Sequence, residues 1–237
     1  LVCLARENHV NGMVNFHNRM YPMVNEIKQM VKGGELGKIF SVHGEYVQDW
    51  LLYDTDYSWR LDSSQVGKTR AVSDIGSHWF DLVEFITGDR IVSVVANFST
   101  VYDKRKKPLG NVQTFAKNAG HGFDEVDIDT EDIATIMFKM SGGTIGSFIV
   151  SQVFSGRKNT TVVNIAGSKE SAIWTSEDLN NLYIGLRNEA NRTLTKDASL
   201  MHEHSATLVS YPSGHIEGFP DAFKQGFSQF YCSLNND

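Results

Sequence analysis

Ser73-Asp74-Ile75-Gly76-Ser77-His78-Trp79-Phe80-Asp81-Leu82-Val83-Glu84-Phe85-Ile86-Thr87-Gly88, followed by Ile91-Val92-Ser93-Val94-Val95-Ala96-Asn97-Phe98-Ser99, is the stretch where the chain changes period. Ile75, Trp79, Leu82, Val83 and Ile86 recur at three- and four-residue spacing. This predicts a helix over 74–87 with one apolar stripe, Ser73 as its N-cap and Gly88 just past its end. The neighbouring face carries Asp74, His78 and Asp81. From Ile91 onward the apolar residues alternate, as half-buried strands require. The first strand, 91–101, turns Val92, Val94, Ala96 and Phe98 inward, and further strands are expected at 132–140, 144–154, 160–166, 171–174, 181–185 and 192–196. Ser141-Gly142-Gly143 and Gly167-Ser168 supply turns between them.

Upstream of the helix, the short apolar run 13–16 reads as a strand. A helix follows, with Met23, Val24, Ile27, Met30 and Val31 on one face, Pro22 in the first turn and Gly33-Gly34 at the close. Ile39–Val47 alternates, with Phe40, Val42 and Tyr46 on one side and Ser41, His43 and Glu45 on the other. Residues 48–72 lose all periodicity and read as a long loop of the kind that carries function. Residues 103–129 read as a polar loop. After Gly218 a last helix places Phe219, Phe223, Phe227 and Phe230 on one face as a core stripe. The order predicts one α+β unit over 1–237, a large, mostly antiparallel mixed sheet with helices packed on one face.

The 237 residues are 41% hydrophobic and carry 22 basic against 28 acidic side chains, a net charge of −6. A nucleic-acid partner is not expected, because phosphate neutralisation needs a concentrated positive face and the longest basic run, Lys104-Arg105-Lys106-Lys107, reads as a solvated loop tip. No apolar run approaches the ~18–20 residues of a membrane span. Cys3 and Cys232 lie at opposite ends in no metal-type spacing, so a reducing, cytoplasmic setting is expected and the sequons at Asn97, Asn159 and Asn191 read as chance matches. A start at Leu1, within an amphipathic segment, reads as a piece cut from a longer protein.

Phosphate-binding loops are absent from the sequence. Gly67-Lys68-Thr69 has Asp62 where a Walker loop needs glycine, and neither glycine cluster, 33–37 or 142–146, matches GxGxxG between a strand and a helix. His202-Glu203-His204 would face one way on a strand, but no further ligand is spaced nearby, so no metal is expected. Asp74 and His78, four apart on a helix, can converge on one hydroxyl for proton transfer, or can form a plain surface pair. Gln48, Asp49, Trp50, Tyr57, Trp59, Arg60 and Arg70 in the long loop suit a sugar site, which combines aromatic faces with amide, carboxylate and guanidinium groups. The alternative is a loop pinned by its own hydrogen bonds, with Trp50 and Trp59 as core anchors. His215 and Glu217 sit in a Gly/Pro turn ahead of the last helix.

Asp74-Ile75-Gly76-Ser77-His78 resembles the DxGxH motif of the Gfo/Idh/MocA oxidoreductase family. Phe16-His17-Asn18-Arg19-Met20-Tyr21-Pro22, Gly34-Glu35-Leu36-Gly37-Lys38-Ile39 and Ser58-Trp59-Arg60 resemble further segments of that family in the same order, together covering roughly residues 13–100, and Ile165-Ala166-Gly167-Ser168-Lys169-Glu170 extends the likeness. The resemblance implies a C-terminal substrate-binding and oligomerisation domain whose N-terminal Rossmann domain, which binds NAD or NADP, is absent from this chain. His78 would be the general base toward a secondary hydroxyl of a sugar or polyol, and Asp74 would orient the substrate or the imidazole. Arg60, Trp59, Arg70, Gln48, Asp49 and, through a GHxEG-like segment, His215 would contact substrate. An open sheet face would make the protein a homo-oligomer. The family's Glu-Lys-Pro loop has no match here, His17 stands where the family often has Asn, and 67–72 departs from the usual glycines. A non-catalytic sugar sensor or scaffold, or an NAD-dependent glycosidase, fits the same resemblance.

Overall fold

The computed structural model describes residues 1–110 and 122–234. Ten strands and six α-helices are present among them. They are α1 (Val2–Glu7), α2 (Pro22–Gly33), β1 (Ile39–Val47), α3 (Ser63–Val66), α4 (Ser77–Thr87), β2 (Ile91–Ser99), β3 (Lys104–Pro108), β4 (Phe123–Asp127), β5 (Ile133–Met140), β6 (Ile145–Ser151), β7 (Thr160–Gly167), β8 (Glu170–Thr175), β9 (Asn181–Leu186), β10 (Arg192–Thr195), α5 (Glu203–Ala206) and α6 (Phe219–Leu234). Eight strands form one sheet in the order β10-β9-β8-β7-β1-β6-β5-β2. β1 runs parallel to β6, and every other neighbour in this sheet is antiparallel. The fold is α+β, as the change of period predicts.

One face of the sheet holds the core. Val42 and Tyr46 of β1, Phe148 and Val150 of β6, Val163 and Ile165 of β7, Ala172 and Trp174 of β8 and Ile136 and Phe138 of β5 are buried with Val24 and Ile27 of α2 and Trp79, Leu82, Val83 and Ile86 of α4. Trp79 ties helix to sheet: its ring stacks on Phe148 at 4.3 Å, and its Nε1 donates to the Val162 carbonyl at 2.8 Å. Gly44 makes this possible, because a Cβ there would lie 2.1 Å from that carbonyl oxygen and 2.6 Å from the indole nitrogen. The opposite face stays open and partly apolar, with Val95 64% and Met137 61% exposed. They are cross-strand partners, so they form one continuous patch.

Several local expectations are corrected. Residues 13–16 form no strand; the chain there is irregular and leads into a 3-10 turn, His17–Met20, because a four-residue segment without an adjacent sheet edge has no ladder to join. The expected polar loop 103–129 contains the β3–β4 hairpin, whose middle lies outside the described residues. Lys104-Arg105-Lys106-Lys107 is therefore strand, not loop tip, and Arg105 is buried. Ser73 is no N-cap: the helix begins earlier, in a π-helical turn Val72–Gly76, and the Ser73 hydroxyl donates back to the Thr69 carbonyl. Phe40 sits at a register shift and is exposed, so it leaves the Val42 face. Val94, Ala96 and Phe98 do pair with core-facing residues of β5, but β2 is the sheet edge beyond the helices, and Val92, Val94 and Phe98 stay exposed. In α6 it is Ala222 and Gly226 that are buried; Phe219 is 50% and Phe227 49% exposed, so the phenylalanine stripe is not core.

Candidate functional site

The 3-10 turn His17–Met20 precedes α2, whose first turn is set by Pro22 and whose end is set by Gly34 in a left-handed conformation. Arg19 holds that turn against α4, its Nε donating to Asp81 Oδ2 at 2.7 Å and its Nη2 to the other oxygen. This brings His17 to His78, with ring centroids 5.4 Å apart, while Phe16 meets His78 edge-on at 5.3 Å and Tyr46 of β1 lies 6.5 Å away. Phe219 and Phe223 of α6 pack on His17 at 4.9 and 5.1 Å. The exposed aromatic end of α6 thus walls the histidine pair.

Burial pushes the His78 imidazole below its ordinary pKa, while the negative charges of Asp74 and Asp81 pull it back up. Burial, and secondarily His78, lowers His17 to about 4. Both rings are therefore neutral near pH 7. The Nδ1 atoms of both are buried and have no hydrogen-bond partner among the described residues. A neutral imidazole keeps one unprotonated ring nitrogen and can accept a proton.

Asp74 lies one turn before His78, in the π-helical turn, a deviation that widens a helix locally and is frequent at functional sites. Its Oδ2 accepts from Gln152 Nε2 at 2.9 Å, and its Oδ1 is 3.5 Å from Arg60 Nε. Asp74 makes no hydrogen bond to His78; it acts on that ring through charge. The 3-10 turn Trp59–Leu61, capped by the Ser58 side chain, presents Arg60 to Asp74 and stacks the guanidinium over the Trp59 ring at 4.8 Å. Trp59 is half exposed and is no core anchor. Trp50 and Tyr57 do pack, with Leu51, Leu61 and Ile128, into a small second cluster under the loop.

The remaining sequence candidates are placed elsewhere. Arg70 is 1% exposed, and its guanidinium is bonded to the Glu131 carbonyl and to Asp132, so no ligand reaches it in this conformation. Gln48 bonds Asn159 at 2.7 Å and Trp50 at 2.8 Å, and Asp49 accepts from Lys158 at 2.6 Å. These contacts pin the long loop to the β6–β7 connection, as the alternative reading of that loop has it. His215 is exposed beside a groove of about 340 Å³ lined by Leu179, Asn180, Thr195 and Lys196, while Glu217 is buried against Lys196. No side chain of Gln48, Asp49, Arg70 or His215 makes a hydrogen bond or ring contact with Asp74 or His78; the one link is the Asp74 N–H, which donates to the Arg70 carbonyl at 2.8 Å. His202 precedes the short helix α5 and lies on no strand. Its two ring nitrogens meet Glu26 and Glu35 at 2.8 and 2.7 Å, and no group of side chains fit for a metal occurs among the described residues.

Sequence reading missed Gln152, Tyr46 and the aromatic wall of α6, and met His17 only as a departure from a motif. Gln152 follows β6 as one polar residue at a strand end, with no local signal of what it faces.

The chain belongs to a known class, the GFO/IDH/MocA C-terminal domain family, whose domain matches residues 24–173. It is similar to levoglucosan dehydrogenase of Pseudarthrobacter phenanthrenivorans, 26% identical over 186 residues that make up 78% of this chain and 47% of that protein. Among solved structures it resembles an oxidoreductase domain protein from Kribbella flavida, at 29% identity and a TM-score of 0.79, over 94% of this chain and 57% of that one. The fold is also that of an inositol dehydrogenase homolog from Azotobacter vinelandii crystallised with NADH and myo-inositol, at 20% identity and a TM-score of 0.77, over 94% of this chain and 52% of that one. The chain spans about half the length of the curated relative it matches.

Proposed function

We propose that this chain is the substrate-binding domain of a longer NAD- or NADP-dependent oxidoreductase acting on a secondary hydroxyl of a sugar or polyol. The observation that carries this reading is His78, a half-buried imidazole kept neutral by its surroundings, with the Asp74 carboxylate one turn away. The named activity of the levoglucosan dehydrogenase relative and the ligands of the inositol dehydrogenase homolog support it. Oxidising a secondary alcohol removes a hydride from carbon and a proton from oxygen. His78 accepts that proton, and the charge of Asp74 stabilises the imidazolium that forms; a positioned base of this kind contributes about 10²–10⁴-fold. Arg60, Trp59 and the His17 ring border the place where the hydroxyl binds.

The described residues do not fit a dinucleotide. β1 and β6 are the sole parallel pair among them, and no strand leads through a glycine-rich turn into a helix. On this reading the nicotinamide nucleotide is held mainly by an N-terminal domain of the longer protein, the chain alone is inactive as a dehydrogenase, and its own contribution is the proton acceptor. No helix of the described residues is long and apolar enough to cross a membrane. Cys3 and Cys232 are both free, in keeping with a reducing, cytoplasmic setting. The open sheet face, with Val95 and Met137 exposed, is the surface through which we propose that copies associate.

The test is nicotinamide reduction by the longer protein across a panel that includes levoglucosan and myo-inositol, with His78→Ala alongside. Substrate-dependent reduction that drops by about 10²-fold or more in the variant supports the reading. A protein that binds sugar but never reduces nicotinamide would be a sensor instead, and one that cleaves a glycoside without net reduction would be a glycosidase.

A further inference from the structure

Two residues just before β5, Glu131 and Asp132, connect the two sides of the Asp74 contact. The Glu131 carboxylate accepts from the backbone N–H of Arg70 and of Val72, each at 2.9 Å, and so holds the first turn of the helix that carries Asp74 and His78. The Asp132 carboxylate binds both buried arginines, Arg70 and Arg105, and takes the Val101 N–H at 2.7 Å. The Asp132 carbonyl accepts from the backbone N–H of Gln152 at 3.0 Å, and the Gln152 carbonyl accepts from Leu51 N–H at 3.1 Å. One buried node therefore fixes the main chain at Arg70 and at Gln152. From that anchor the fully buried Gln152 side chain reaches Asp74 Oδ2 at 2.9 Å.

We propose that Gln152 is a positioning residue that acts through Asp74; this rests on the reading that Asp74 and His78 handle the substrate proton. The amide N–H fixes the rotation of the carboxylate, which leaves Oδ1 turned toward Arg60. The Gln152 Oε1 atom is buried without a partner among the described residues, so the bond to Asp74 is the side chain's one hydrogen bond there. A carboxylate next to Oε1 in place of Nε2 would be repelled, so the amide orientation is set by Asp74 itself.

The experiment uses the longer protein with the variants Gln152→Met, which keeps length but has no donor, Asp74→Ala, the double variant, and His78→Ala. Gln152→Met is expected to lower kcat by about tenfold or more with KM changed less than about threefold, since positioning acts on the transition state. In the Asp74→Ala background the same substitution is expected to cost less than about twofold, because its effect runs through Asp74. Wild-type kcat in Gln152→Met, or an equal loss in both backgrounds as a merely structural role would give, overturns the proposal while leaving His78 in place. If His78→Ala retains full activity, the functional reading falls and this proposal falls with it.

Discussion

The imidazoles of His17 and His78 stand with ring centroids 5.4 Å apart and planes at 62°, each with a buried and unpartnered Nδ1. Two elements far apart in sequence meet here, a 3-10 turn ahead of α2 and the first turn of α4, and Arg19 with Asp81 closes the junction from the side. Two positive rings at this distance would repel, so the pair is stable as neutral groups, which is the state a proton acceptor needs. His78 thus adds to the burial that lowers the pKa of His17.

The pH profile follows from the lowered pKa of His78. As a base it is active when neutral, so kcat/KM is expected to fall on acidification with a limb below 6.5, the ordinary imidazole value. Asp74 raises that pKa by its charge; Asp74→Asn should move the limb to still lower pH, besides lowering the rate. A limb that moves upward in Asp74→Asn would contradict this electrostatic link.

His17 links stability to pH. Its folded pKa is about 4 against an ordinary 6.5, so between these values the unfolded chain binds the extra proton. The contribution is fully present above pH 6.5 and is lost as pH falls toward 4, with a total of up to about 3 kcal/mol at about 1.4 kcal/mol per unit. Urea unfolding of wild type and His17→Phe from pH 4.5 to 7 checks this; identical slopes of stability against pH would sink it.

His202 has the opposite sign. Burial alone would lower its pKa, but the hydrogen bonds and charges of Glu26 and Glu35 prevail and raise it. Its stabilisation is therefore fully present below pH 6.5 and is lost as pH rises through the raised folded value. Because the ring clamps α5 to α2, amide exchange over residues 197–206 should accelerate across that range in wild type and be pH-independent, after correction for intrinsic chemistry, in His202→Gln.

Arg70 and Arg105 share Asp132 in a site that excludes water. Replacing either with Met leaves one side of the cluster short of positive charge and is expected to cost about 3–5 kcal/mol in unfolding free energy, as breaking a buried ion pair does. A loss below about 1 kcal/mol by denaturant titration would show that the cluster contributes little.

The open sheet face is tested by sedimentation. If copies associate there, Met137→Lys should shift the protein toward monomer by placing a charge in the patch, while its fold is unchanged because Met137 points away from the core. Wild type that is monomeric at high concentration would remove the proposal.

Much of this architecture was legible in the sequence for a physical reason. Seven of the eight strands in the large sheet begin or end within a few residues of where the alternation puts them, and β1 matches in full, because a sheet with one buried face imposes period two on every strand. The apolar stripes of α2 and α4 were equally plain. Asp74 and His78 were legible as a pair by spacing, and Arg60 by its nearness to a motif. Arg70 was not: a guanidinium in a polar loop looks the same whether it meets substrate or a buried carboxylate. The hairpin at Lys104–Pro108 was missed because its charged residues carry no alternation, and its pairing with Phe123–Asp127 is supported by the diagonal ion pair of Lys104 with Glu125, whose register partner is Lys106.

By itself the sequence determined the α+β class, where the strands of the large sheet lie along the chain, the helix that presents Asp74 and His78, and the family to which the chain belongs. All of these are local or periodic properties, written in spacings of two, three and four residues. Only the tertiary structure decided that His17 adjoins His78, that Gln152 holds Asp74, that Arg70 is walled in with Asp132, and that the α6 phenylalanines line the site and do not fill the core. Those pairings span tens of residues, and which partner a polar side chain takes is set by where the packed sheet and helices deliver it.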